Sequence, residues 1–132
     1  ELHFMFGLTV FVLVWLRLFA RSLGVAPKII PAPPQWQALL ATLMHWALYL
    51  FMIGMPIAGW LIVSAQGHSV MFYGIELPPL IGENKDLSKQ IKEWHELGGA
   101  IGYWLIGLHA LAGLYHHYFM RDNTVRRMIP KR

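Results

Sequence analysis

The chain has 132 residues, of which 56% are hydrophobic, 14% aromatic and only 14% charged, a balance too apolar for an ordinary soluble domain and expected of a membrane protein. With no cysteine, disulfides, iron–sulfur clusters, thiolate zinc sites and thioether-linked haem are all excluded. The formal charge of +4 does not point to nucleic acid, because the basic residues are segregated by loop and no nucleic-acid module, phosphate loop or nucleophile constellation is present.

A bilayer span needs about 20 largely apolar residues, and three stretches qualify, at about residues 3–20, 38–65 and 97–119. The first, LHFMFGLTVFVLVWLRLFAR, places His3 near one end and Arg17 near the other. These residues are 14 apart, close to four helical turns, so they share a face about 21 Å apart along the axis. Taken alone, His3 reads equally well as an interfacial helix-end residue and Arg17 as a snorkelling side chain. The chain opens at Glu1 without an initiator methionine and runs at once into apolar sequence, which reads as a truncated sequence. The first span is too long, and carries Arg17 too deep, to be a signal peptide itself.

Residues 22–37 contain Pro27, Pro31, Pro33 and Pro34, which preclude a regular helix and favour an extended connection. Trp36 suits the headgroup boundary. The second span, ALLATLMHWALYLFMIGMPIAGWLIVSA, is the most hydrophobic, and Pro56 within it removes a backbone hydrogen bond and is expected to kink the helix. His45 has three readings: an axial ligand, a proton carrier near a quinone, or a hydrogen-bonded histidine of the bundle, the last being preferred. The loop 66–93 is long and partly apolar, shows no convincing hairpin signal, and is expected to lie on the membrane surface and cap the bundle. Asp86 or Ser88 is the expected N-cap of an amphipathic lead-in to the third span, and His68 is expected to be solvated.

The third stretch, WHELGGAIGYWLIGLHALAGLYHHYF at 94–119, organises the rest. His95 and His109 are again 14 residues apart and share a face with Gly98, Gly99, Gly102 and Gly113. Such a stripe has a plain reading in close helix packing. Ionisable side chains inside an apolar span are costly, however, and mark cofactor or proton sites. Two histidines on one face with small neighbours point to axial ligands of haem iron. If the first and third spans are antiparallel neighbours, His3 sits level with His95 and Arg17 level with His109. Six-coordinate haem takes two ligands on opposite sides of the porphyrin, and its propionates favour a cation such as Arg17 or Arg21.

Three spans place the end of the first and the end of the third on one side. That side carries Arg17, Arg21, Lys28, Arg121, Arg126, Arg127, Lys131 and Arg132 against Asp122 alone, so the positive-inside rule makes it cytoplasmic. The opposite side carries Lys85, Lys89 and Lys92 against Glu1, Glu76, Glu83, Asp86, Glu93 and Glu96. The basic tail 121–132 should meet anionic headgroups of the inner leaflet, with His116 and His117 just before it at the inner boundary, where protons exchange with water.

These residues resemble the bacterial cytochrome b561 family of di-haem membrane cytochromes b, which includes cytochrome subunits of hydrogenases and formate dehydrogenases. The resemblance runs end to end and is strongest in WHE at 94–96, in MPIAGW at 55–60, and in IGLHALAGLYHHYFMRDNTVRRMIP at 106–130. It implies an all-α integral membrane bundle, a single cytochrome b domain over 1–132 whose three spans correspond to a four-helix di-haem bundle without its first helix. By resemblance His3 and His95 match the ligands of the outer haem b, and His109 one ligand of the inner haem. The remaining inner ligand belongs to the family's first helix, which nothing before Glu1 supplies, and His45 is not expected to replace it. The resemblance further implies ubiquinone near His116. For the stand-alone member it implies oxidation of superoxide at the outer face of the bacterial inner membrane, where Lys85, Lys89 and Lys92 attract an anion.

The expected function is therefore transmembrane electron transfer through haem b from superoxide to ubiquinone. Two alternatives stay open: a cytochrome b subunit passing electrons from a partner hydrogenase or dehydrogenase to quinone, and a non-redox membrane protein whose histidines only pack. A homodimer or a redox partner subunit is compatible with either redox reading.

Overall fold

The computed structural model describes residues 2–25 and 27–128. Glu1 on the outer side, and Pro130, Lys131 and Arg132 of the tail, lie outside the described residues. Three long helices carry the fold: α1 (Leu2–Leu23), α2 (Gln35–Ala65) and α3 (Lys85–Tyr118). Each is long and apolar enough to cross a bilayer, and the chain is a membrane-embedded helical protein.

The element ends follow from local chemistry. Between α1 and α2 the prolines hold the chain extended, and Pro34 occupies the N-cap of α2 with ψ of 151°. α2 continues through Pro56, which cannot donate to the Met52 carbonyl. The cap of α3 is Asn84, not Asp86 or Ser88: its side-chain oxygen accepts from Leu87 N–H at 3.0 Å. Asp86 instead sits in the first turn, where its charge favours the positive end of the helix dipole. At about 1.5 Å per residue, α3 is about 50 Å long and overshoots a hydrocarbon core of about 30 Å. Its first turns, which carry lysines and carboxylates, therefore project beyond the membrane.

The connection between α2 and α3 contains a β-hairpin that the sequence does not announce, β1 (Val70–Phe72) and β2 (Ile75–Leu77), paired antiparallel. Tyr73 and Gly74 make its turn with φ of 48° and 85°, the two positive values of a type I′ connection. Tyrosine at the first of these positions is a poor signal, since asparagine, aspartate or glycine normally occupies it. Strand β1 lies against α1 and α2, and Val70 joins Leu8 and Val63 in a small buried cluster flanked by Phe4, Trp60, Phe72 and Leu77. Trp60 donates its indole N–H to the Pro78 carbonyl at 3.1 Å, and Leu80 N–H reaches the buried Ser64 hydroxyl at 3.0 Å. The connection is thus stapled over one end of the bundle as a cap. His68 is exposed there, as expected of a loop histidine.

Helix order in space differs from the antiparallel arrangement of the first and third spans. α2 packs against both α1 and α3, whereas α1 and α3 run parallel with no direct backbone packing. A chain crossing three times must return in the original direction on its third pass, so α1 and α3 can only be parallel.

Candidate functional site

The α2–α3 contact sets the geometry. A side chain at Gly98 would meet Met55 Sδ at 2.7 Å, and one at Gly102 would fall on the Phe51 ring. Gly98 and Gly102 therefore let α2 approach α3 closely, the packing use of a small-residue stripe. Gly99 meets nothing and, with Gly102, lines a cavity of about 650 Å³ between the three helices at the hairpin end. His3, Gly7, Met55, Gly59 and His95 also line it. Its size falls within the ~300–1,000 Å³ class of cofactor sites.

His3 and His95 face each other there, their ring centroids 6.0 Å apart and their planes at 76°. They are level because α1 and α3 are parallel and both start at this end: His3 lies at the start of α1, and His95 lies ten residues into α3, whose first turns overshoot. Two imidazoles sharing one metal at about 2 Å from each nitrogen would have ring centroids about 6 Å apart. His95 Nδ1 is buried and has no hydrogen-bond partner among the described residues. Among the described residues no three ligating side chains converge, so a metal between these two would need its remaining donors from another group, such as a porphyrin. A facing pair, an unpartnered buried ring nitrogen and a cavity of cofactor size together fit a haem that His3 and His95 would hold.

The second predicted histidine of α3 has a different neighbour. His109 faces His45 on α2, with ring centroids 5.5 Å apart. The pairing continues the antiparallel register set by Gly98 with Met55 and Gly102 with Phe51. It was legible from depth along the helices. His45 lies ten residues from the start of α2 and His109 nine from the end of α3, each about 14 Å from the same end of the bundle. Arg17, one of the expected propionate partners, donates from Nε to the Tyr49 hydroxyl at 3.3 Å, one turn along α2 from His45.

At the tail end the ring of His116 meets Asp122, Nδ1 to Oδ2 at 2.5 Å. Asp122 is 5% exposed. Burial pushes its carboxyl up, but the Thr124 amide at 2.8 Å and the His116 ring outweigh this and hold it below the ordinary carboxylate range. Asp122 carries no periodicity signal, and in the sequence it stands out only as the tail's lone acid. Of the lysines expected to attract an anion at the opposite end, Lys85 is paired with Glu83 at 3.5 Å and Lys92 with Glu96 at 3.8 Å. These exposed pairs blunt the local positive field. Lys92 and Glu96 also line the cavity beside His95.

A family model described as prokaryotic cytochrome b561 matches residues 1–131. The chain is 39% identical over 132 residues to cytochrome b561 homolog 1 of Escherichia coli (strain K12), covering all of this chain and 75% of that protein. It is 38% identical over 131 residues to the probable superoxide oxidase CybB of Yersinia pestis, covering 99% and 74%. It is 27% identical over 139 residues to cytochrome b561 homolog 2 of the same Escherichia coli strain, covering 99% and 70%.

Proposed function

Because the chain belongs to the prokaryotic cytochrome b561 family, a family of membrane electron-transfer proteins that implies b-type haem, we propose that it oxidises superoxide at the hairpin end and reduces ubiquinone at the tail end. The observation that carries the reading is the His3–His95 pair, 6.0 Å between ring centroids at the edge of the open cavity under the hairpin cap. Haem b, when bound, supplies one-electron oxidation and reduction at its iron. His3 and His95 would hold it, and Arg17 supplies a cation beside the deeper histidines His45 and His109.

The two half-reactions balance. Two superoxide anions each give up one electron and leave as dioxygen, while one ubiquinone takes the two electrons and two protons to become ubiquinol. Superoxide requires a water-exposed face, which the hairpin end provides through the projecting turns of α3 and the unpaired Lys89 among the described residues. The similarity to a relative named as a probable superoxide oxidase supports this donor. Quinone reduction requires proton delivery, which His116 at the water boundary can give. Described Arg17, Arg21, Lys28, Arg121, Arg126 and Arg127 gather at the tail end, which we assign to the cytoplasmic face of a bacterial inner membrane.

The test is a reduced-minus-oxidised absorbance spectrum of the detergent-purified chain, with haem extracted and counted, followed by addition of superoxide and a soluble ubiquinone. A b-type spectrum and quinol formation in proportion to superoxide consumed are expected. Folded protein without haem absorbance would overturn the cofactor reading, and haem-loaded protein inert to superoxide would overturn the donor.

A further inference from the structure

Past Tyr118 the chain does not simply leave the membrane. Phe119 and Met120 both donate their amides to the Tyr115 carbonyl, Arg121 takes a positive φ of 51°, and Asp122 N–H returns to the His116 carbonyl at 3.2 Å. That reversal sets the Asp122 carboxylate on His116 Nδ1 at 2.5 Å, with Oδ1 accepting from Thr124 N–H. The next residue is anchored in turn. Asn123 exchanges two hydrogen bonds with Ile30, its amide to the carbonyl at 3.1 Å and its Oδ1 from the Ile30 amide at 2.9 Å, and adds one to the Lys28 carbonyl. Arg127 donates to the Pro27 carbonyl beside them.

The loop between α1 and α2 therefore holds Asn123, and Asn123 holds Asp122 against His116. A tail that merely touched lipid headgroups would need none of this. An ionised carboxylate can only accept, so the nitrogen facing it must carry the hydrogen. The other nitrogen, Nε2, is then left as the atom that gains or loses a proton, and the ring remains 18% exposed.

We propose that Asp122 is a positioning residue that fixes His116 in its Nδ1–H form, so that Nε2 delivers protons to the quinone reduced at this end. The inference rests on the quinone reading above. Asp122 does not touch the substrate; it sets the tautomer and orientation of the ring that does, as a carboxylate does for any histidine acting through its far nitrogen.

Asp122→Asn keeps the shape, and its amide oxygen can still accept from Thr124, but it no longer enforces a hydrogen on Nδ1. In the haem-loaded protein labelled with 15N-histidine, the expected result is loss of the pure Nδ1–H signal of His116. Quinone turnover should fall by about tenfold or more, with unchanged haem content and KM, since proton transfer by a placed side chain is typically worth about 10²–10⁴-fold. Asn123→Ala, which leaves both members of the pair in place but cuts their anchor, should give a smaller change in the same direction. If His116→Ala is slow while Asp122→Asn matches the parent in tautomer and turnover, the pair is a structural clasp and this inference falls alone. If His116→Ala turns over normally, the quinone reading falls and takes this inference with it.

Discussion

The two histidine pairs of α3 are alike in spacing and unlike in setting. His95 looks across an open cavity to His3 on a helix that α3 does not pack against. His109 looks to His45 on α2, the helix with which α3 is in closest contact. A flat cofactor can enter the first arrangement because α1 and α3 stand apart. Between α2 and α3 the backbones are drawn together at Gly98 and Gly102, where even a methyl group would strike Met55 or Phe51. Equal spacing along one helix thus yields two chemically different sites, and the separation of the partner helix is what distinguishes them.

Haem content gives the largest expected effect. His95→Ala and His3→Ala should each remove the haem at the hairpin end, read as a fall in haem per folded chain. At the deeper level His109→Ala should lower haem content, whereas His45→Ala should leave it unchanged. Equal losses from His45→Ala and His109→Ala would make the deeper pair equivalent to the first and break the comparison. Next in size is the helix contact itself. Gly102→Ala forces the Phe51 ring to move, a cost of about 1–3 kcal/mol for overpacking against about 1 kcal/mol gained in helix propensity. Thermal unfolding of the variant should shift down, and an unchanged midpoint would show that Phe51 yields freely and that the α2–α3 contact is not tight.

The smallest effect concerns the tail. The Asp122 carboxyl is held below its ordinary value of 3.8 in the folded chain. Its contribution is therefore fully present above that value and is lost as pH falls through the lower folded value. Proteolysis of the tail after α3 should accelerate only in that acid window, and in Asp122→Asn it should lose this dependence on pH. A tail whose protection stays constant as pH is lowered from 7 until the chain unfolds would show that the clasp does not depend on the charge.

Much of the architecture could be read directly. Three apolar runs, the proline-rich connection and the basic tail specify a membrane bundle because hydropathy and charge act locally, on the segment that carries them. The face shared by His95 and His109 follows from helical period alone. The hairpin was not legible because Tyr73 supplies a positive φ that its residue type does not advertise. Nor was the cap at Asn84, which competes in sequence with Asp86 and Ser88 and is selected by where the loop meets the Ala65 carbonyl.

What the sequence by itself determined is the set of helices, their depth in the membrane and the level of each histidine along them. Tertiary structure decided which histidines of one level touch and which stand across a gap. The interposition of α2 leaves α1 and α3 apart, so His3 and His95 face each other over a cavity while His45 is drawn to His109. The reversal at Arg121, held by Asn123 on the far loop, brings Asp122 back to His116. Periodicity states which side of a helix a residue occupies; which neighbour fills that side depends on contacts between segments distant in the chain.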